Sequence, residues 1–225
     1  MKGLVVAIDG PSGVGKSTVG KALATRLGVP YIDTGAMYRA VGLAVKRERI
    51  ELPLEDPAAV AAVAARVDVR VTGSAADART WLNGEDVSME IRAPEISKYA
   101  SAVSALPGVR RRLAGMQRRL ALEGGGVFEG RDIGTVVVPE TPHKFFLTAS
   151  AEVRARRRFA ELSARGSPQS YAEVLSEMVA RDGADATRVD SPLKDDGTYT
   201  RIDTSVLSVE EVVDRLLSAV GRPPG

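Results

Sequence analysis

The densest chemistry in this sequence lies in one short stretch, Gly10-Pro11-Ser12-Gly13-Val14-Gly15-Lys16-Ser17-Thr18, spaced as G-x-x-x-x-G-K-[ST]. Glycines let the backbone turn tightly enough to aim successive N–H groups at one small volume. A helix opening beside them adds its positive end and the Lys16 ammonium. Such a cradle suits the phosphates of a nucleotide, with the Ser17 hydroxyl offered to Mg²⁺. By itself the loop says only that phosphates bind.

What receives or senses the terminal phosphoryl group must come from elsewhere, and four further segments carry suitable side chains. Asp33-Thr34-Gly35-Ala36-Met37-Tyr38-Arg39 brings a carboxylate, a hydroxyl and a guanidinium. Glu129-Gly130-Arg131-Asp132 brings two carboxylates and an arginine, Arg110 follows Pro107, and Arg181, Asp185 and Arg188 fall close together. Arginine forks match phosphate bidentately, so several arginines at one sheet edge fit a second phosphorylated ligand. Any one of them alone reads as a solvated charge or a cap; the conjunction carries the argument. The run Arg154, Arg156, Arg157, Arg158 and Arg165 reads either as a hydrated basic face or as a lid whose arginines close over moving phosphates. His143, the single histidine, precedes a strand with no partner for metal or nucleophilic work and reads as structural.

These groups need elements to place them. Leu4-Val5-Val6-Ala7-Ile8 is a buried strand before the loop, and Val19, Leu23 and Leu27 mark the helix after it. Tyr31-Ile32-Asp33, Gly126-Val127-Phe128, Lys144-Phe145-Phe146-Leu147 and Tyr199-Thr200-Arg201-Ile202-Asp203 are four more short strands, separated by helical patterns over 36–47 and from Pro107 onwards. Ser170-Tyr171-Ala172-Glu173 and Ser208-Val209-Glu210-Glu211 are capping boxes that open two further helices. Five strands alternating with helices predict an α/β fold with a five-stranded parallel sheet, and ligands belong at the strands' carboxyl ends. Val67-Asp68-Val69-Arg70-Val71 and Arg79-Thr80-Trp81-Leu82 alternate instead, and Asn83-Gly84 follows as a hairpin turn. Alternation means a half-exposed antiparallel sheet, which does not fit a parallel core, so residues 63–100 are expected as an inserted lobe. The core is then 1–62 and 101–225, with a lid at 151–167 inside it and a frayed tail from Gly221 to Gly225.

Composition narrows the class. The 225 residues, 44% hydrophobic, are enough for one full core with appended lobes. No apolar stretch approaches the ~20 residues that span a bilayer. There is no cysteine, hence no thiolate nucleophile or disulfide framework, and the expectation is a cytoplasmic protein without membrane attachment. A net charge of only +2 and an aromatic content of 4% argue against a nucleic-acid binder.

Taken together, Ile8-Asp9-Gly10-Pro11-Ser12-Gly13, Asp33 to Arg39, Gly84-Glu85-Asp86-Val87-Ser88 with Glu90-Ile91-Arg92, Gly130-Arg131-Asp132-Ile133-Gly134-Thr135-Val136-Val137, and Arg181-Asp182 with Asp185 and Arg188 resemble the bacterial cytidylate kinases. These are a branch of the nucleoside monophosphate kinases, and the likeness runs the length of the chain. It implies transfer of the γ-phosphoryl group of ATP to CMP or dCMP with Mg²⁺, by an expected monomer whose inserted lobe binds the monophosphate. Gly10 to Thr18 then hold ATP. Arg39, Arg131 and Arg188 resemble the group holding the acceptor phosphate. Ser101, Arg110 and Asp132 resemble cytosine contacts with Thr34 beside them, and Arg181 and Asp185 resemble the ribose pair. Thr34 stands where serine is frequent and Glu129 where aspartate is frequent; both keep the functional group.

The chemistry is coherent with these residues. An acceptor phosphate is already an anion and its oxygen is the nucleophile, so no general base is required. The protein must hold two repelling anions in line and stabilise charge on the moving group, work for Lys16, the loop amides, Mg²⁺ and arginines. One of Arg154, Arg156, Arg157 and Arg158 is expected to act on the transition state. Asp132 with Arg110 is expected to supply the base preference, since a carboxylate facing position four accepts from the N4 amino group of cytosine and repels O4 of uracil. Rival readings are a kinase with another acceptor, such as UMP or AMP, and a nucleotide-hydrolysing switch. The single asparagine, Asn83, leaves no N-K-x-D motif for the switch.

Overall fold

A computed structural model describes residues 3–72, 74–164 and 166–221. In chain order the first elements are β1 (Val5–Asp9), α1 (Lys16–Leu27), β2 (Tyr31–Asp33), α2 (Thr34–Arg47) and α3 (Pro57–Arg66). Then come β3 (Val69–Thr72), β4 (Arg79–Leu82), β5 (Glu85–Asp86), α4 (Pro94–Ser104) and α5 (Pro107–Gly124). The last are β6 (Gly126–Gly130), β7 (His143–Thr148), α6 (Ala151–Ala164), α7 (Tyr171–Thr187), β8 (Thr200–Asp203) and α8 (Val209–Val220). A five-stranded parallel sheet has the order β2-β6-β1-β7-β8, and a second, three-stranded sheet has the order β3-β4-β5. The fold is therefore the expected α/β class.

By compactness the chain divides into two units, one of Met1–Val5 with Ala24–Glu129 and the other of Val6–Leu23 with Gly130–Gly225. In the first, β2 and β6 pair with Asp33 opposite Glu129, which sets two strand ends side by side. The small sheet is antiparallel, with Val69 opposite Leu82 and Trp81 opposite Asp86. Asn83 and Gly84 both have positive φ (51° and 84°), the pair of left-handed residues a two-residue hairpin of this twist demands. Val69 and Leu82 are buried while Arg70 and Arg79 are exposed, so the alternation in sequence is the alternation of faces. These strands pack their apolar face into one core with Met37, Val41 and Val45 of α2, Val60 and Val63 of α3, and Ile96, Tyr99 and Val103 of α4. The segment 63–100, expected as an inserted lobe, thus lies within the larger compact stretch from Ala24 to Glu129.

In the second unit β1 and β7 pair with Asp9 opposite Phe146, and β7 and β8 with Thr148 opposite Asp203. β1 is buried along its whole length, as its unbroken apolar run requires of a central parallel strand. Helices α6 and α7 share a small core of Ala155, Leu162, Val174 and Met178, closed by Phe159 edge-on to Tyr171. Both capping boxes form, Ser170 with Glu173 at α7 and Ser208 with Glu211 at α8. Among the described residues no helix is long and apolar enough to cross a membrane. Arg165 and the tail residues Arg222 to Gly225 lie outside the described residues.

Candidate active site

The loop from Gly10 to Gly15 leaves β1 at its carboxyl end and enters α1 at Lys16. Its tightness is visible at Gly10 (φ 149°), where a Cβ would stand 2.3 Å from the Leu147 carbonyl oxygen, so no other residue fits. Lys16 is buried and donates to the carbonyl oxygens of Gly10 (2.8 Å) and Pro11 (2.7 Å), which folds its ammonium over the loop's own backbone. Val14 is buried and pins the loop, while Ser17 and Thr18 are exposed on the first turn of α1.

Two of the arginines on α6 are tied to this loop rather than left in solvent. Arg154 is buried; its Nε donates to Ala149 O (3.0 Å) and its Nη1 to Ser12 O (3.1 Å). Its Nη2 pairs with Asp182 of α7 at 2.7 Å. Arg157 donates to Thr204 O (2.6 Å) and Thr204 Oγ1 (3.2 Å), and that hydroxyl in turn donates to Val14 O at 3.0 Å. Arg158 forms only a partly exposed i,i+3 pair with Glu161, and Arg156 is exposed. A basic run that is uniform in sequence is therefore split by helix phase into struts and surface charges.

Next to these, three arginines surround one acid. Asp185 of α7 accepts from Arg131 Nε at 2.9 Å and pairs with Arg188 Nη1 at 3.4 Å, both arginines being largely buried. Burial alone would raise the Asp185 carboxyl, but the charges of Arg131, Arg188 and Arg181 outweigh it and hold it below the ordinary value. Guanidinium groups clustered in this way have the fork geometry and charge that suit a phosphate. Arg131 also donates to Gly130 O (3.2 Å), and Asp132 beside it is buried.

The other expected residues lie in the first unit. Thr34 is buried and donates to Glu129 O at 2.7 Å, across the paired ends of β2 and β6. Asp33 caps α2 by accepting from Ala36 N and pairs with Arg39 at 3.4 Å. Arg110 of α5 is buried, lies 5.4 Å from the Tyr38 ring centroid and donates to Ser104 O at 3.1 Å. Ser101 sits one turn earlier on α4, its carbonyl accepting from Ser104. So Thr34, Tyr38 and Arg39 on α2, and Arg110 against Tyr38, are brought together here. The loop, Arg131, Asp132, Arg154, Arg181, Asp185 and Arg188 belong to the second unit.

A family model described as cytidylate kinase matches residues 6–222. A curated cytidylate kinase of Caldanaerobacter subterraneus subsp. tengcongensis is 51% identical over 215 residues, 96% of this chain and 93% of that one. One from Rhodococcus opacus is 47% identical over 223 residues, 99% of this chain and 96% of that one. The chain belongs to the cytidylate kinase family. Among solved structures, a shikimate kinase from Bacteroides thetaiotaomicron superposes with a TM-score of 0.50 at 16% identity, covering 96% of this chain and 97% of that one. An uncharacterised protein from Eubacterium ventriosum reaches 0.52 at 16% identity, with 97% and 98% covered. At that identity the two structures share the fold alone with this cytidylate kinase family member.

Sequence reasoning passed over several residues that the geometry places at the loop. Asp9 is wholly buried at the end of β1, Tyr199 donates to it, Thr204 joins Arg157 to Val14, and Asp182 anchors Arg154. Only Asp9 carries a signal of its own: an acid closing an otherwise apolar buried strand has to be satisfied by something.

Proposed function

We propose that this protein transfers the γ-phosphoryl group of ATP to CMP or dCMP, giving ADP and CDP or dCDP. What carries the reading is membership of the cytidylate kinase family over residues 6–222. The same reading makes it a Mg²⁺-dependent, cytoplasmic monomer of pyrimidine nucleotide metabolism. Gly10 to Thr18 hold the donor phosphates, and Lys16, now bonded to loop carbonyls, exchanges those bonds for the transferring group. Arg39, Arg131 and Arg188 hold the acceptor phosphate, Arg181 and Asp185 the ribose, and Ser101, Arg110, Asp132 and Thr34 the base. Residues 63–100 serve as the monophosphate-binding lobe and 151–167 as the lid.

Mg²⁺ fits this donor set. The exposed Ser17 hydroxyl on the first turn of α1, beside the loop, would be the protein ligand, with phosphate oxygens and water supplying the other positions. When bound, the ion neutralises charge on the β- and γ-phosphate oxygens. The acceptor oxygen attacks without a general base, so the chain's own work is positioning and charge stabilisation. One of Arg154, Arg156, Arg157 and Arg158 of α6 acts on the transferring group; Arg154 and Arg157 are held against the loop region, whereas Arg158 can leave Glu161 for the phosphates at small cost.

The test is release of ADP with ATP and each of CMP, dCMP, UMP and AMP. Turnover with CMP and dCMP well above UMP and AMP is expected. Hydrolysis of ATP that ignores the acceptor would overturn the reading. The Asp132→Ala variant is expected to lose most of the CMP over UMP preference in kcat/KM, because the group that accepts from N4 is gone.

A further inference from the structure

The backbone after Asp132 does something unusual: Ile133–Val137 is a single π-helical turn, with Val137 N donating to Asp132 O and Val138 N to Ile133 O. Such wide turns are rare and occur mostly at functional sites. Like any helix start, this one has N–H groups at its first positions with no partner inside the turn. Asp9 supplies the partners. Its Oδ1 accepts from Ile133 N (3.0 Å) and its Oδ2 from Gly134 N (2.8 Å), 124 and 125 residues away in sequence. Tyr199, at the edge of β8, completes the carboxylate by donating its hydroxyl to Oδ2 at 2.8 Å. Gly134 leaves room for this: a Cβ there would stand 2.7 Å from the Tyr199 oxygen.

The position of this acid in the chain gives the arrangement its meaning. Asp9 is followed at once by Gly10, the residue whose carbonyl accepts from Lys16. Ile133 is preceded at once by Arg131 and Asp132, and Arg131 is the arginine on Asp185. A fully buried carboxylate is costly, so a chain that only needed a filled core would do better with an apolar residue there.

We propose that Asp9, oriented by Tyr199, is a positioning residue that fixes the Arg131-Asp132 turn to the start of the phosphate loop, so that the acceptor-holding groups are set relative to the donor site. The proposal rests on the reading of Arg131 and Asp132 as acceptor contacts. Asn is the informative substitution. Either way round, its amide must turn an NH₂ toward one of the two backbone N–H groups, so one bond to the turn is lost while volume is kept.

The experiment measures kcat, both KM values and amide hydrogen exchange on the full-length Asp9→Asn and Tyr199→Phe proteins. Asp9→Asn is expected to raise KM for CMP and lower kcat, each by about tenfold or more, with KM for ATP within about twofold of the parent. Exchange at Ile133 and Gly134 should speed up by at least about tenfold while the amides of Gly13 to Lys16 keep their protection. Tyr199→Phe, which leaves both amide bonds in place, should move the same quantities in the same direction by less, and it keeps the question open to test if Asp9→Asn does not fold. Equal losses for ATP and CMP, or unchanged exchange at the turn, would overturn the proposal. If the parent protein fails to phosphorylate CMP, the functional reading falls instead, and the exchange data still report whether Asp9 holds the turn.

Discussion

The charged groups around the phosphate loop and the ion pairs beside the small sheet handle charge in opposite ways. Around the phosphate loop, Asp9, Lys16, Arg154 and Asp185 are all buried, and most of their partners are backbone groups or other buried charges. Beside the small sheet, several ion pairs lie at the surface: Arg47 with Glu85 and Glu90, Lys46 with Glu95, Arg66 with Glu48, Arg79 with Asp86. Solvent screens the second set and lets each side chain find water when its partner is removed. The first set has no such recourse, so its members hold fixed positions and cannot be deleted singly without leaving a stranded charge, donor or acceptor. Fixed positions are what a reaction needs; the surface pairs only adjust stability.

The contrast breaks most readily at Asp185. Asp185→Ala leaves Arg131 and Arg188 buried around a lost counter-charge, and the expected loss is about 3–5 kcal/mol of unfolding free energy by denaturant titration. A loss below about 1 kcal/mol would mean that the cluster behaves like a surface pair. Second in size is Lys16→Met, which keeps the apolar stem and removes the ammonium. A fall in kcat/KM of about 10²–10³-fold is expected, with a smaller cost in stability of about 1–3 kcal/mol, since the Gly10 and Pro11 carbonyls lose their donor.

Asp9 gives a pH test of the same idea. Burial, partly offset by the Gly134 and Ile133 amides and reinforced by the charge of Asp132, pushes its carboxyl from the ordinary 3.8 up to about 6, even with Tyr199 donating to it. Because the folded value lies above the unfolded one, the stability this group contributes is present below pH 3.8 and is lost as pH rises through about 6. Asp9→Asn has no such titration. From about pH 5 to about pH 7.5 the parent should therefore lose between about 1 and 2 kcal/mol relative to the variant, read as the difference between two denaturation series. A gap that stays flat with pH would place Asp9 among groups of ordinary acidity.

How far this was legible in the sequence follows from the same division. Strands β1, β2, β6, β7 and β8, the Asn83-Gly84 turn and the two serine caps were readable because each is written in neighbouring residues. Helix α4 shows its period in Ile96, Tyr99, Ala100 and Val103, yet a lobe boundary drawn at residue 100 falls inside it. The candidate site was legible as a list of arginines and acids but not as a set of partners. Nothing local distinguishes Arg154, buried on Ser12, from Arg156 two residues on in solvent; helix phase relative to a loop 142 positions away decides it. The bond from Tyr199 to Asp9 spans 190 positions and leaves no periodic trace. Buried polar networks are assembled by topology, whereas surface pairs such as Arg158 with Glu161 come from spacing along one helix.

The smallest effect belongs to the most complete surface pair. Arg47, in the last turn of α2, meets Glu85 through both nitrogens of its fork, at 2.7 and 2.9 Å, and reaches Glu90 at 2.6 Å. Its side chain is nevertheless 39% exposed and those of Glu85 and Glu90 are 57% and 47% exposed, so water replaces much of what the bonds provide. Arg47→Ala is expected to cost less than about 1 kcal/mol, and that cost should shrink by half or more in molar salt. Arg47→Lys, which keeps the charge and loses the fork, separates the two contributions: a cost equal to that of alanine assigns the stabilisation to geometry, and no cost assigns it to charge. A loss of 3 kcal/mol or more from Arg47→Ala, insensitive to salt, would erase the distinction between these surface pairs and the charges around the loop and show that exposed forks here act as buried ones do.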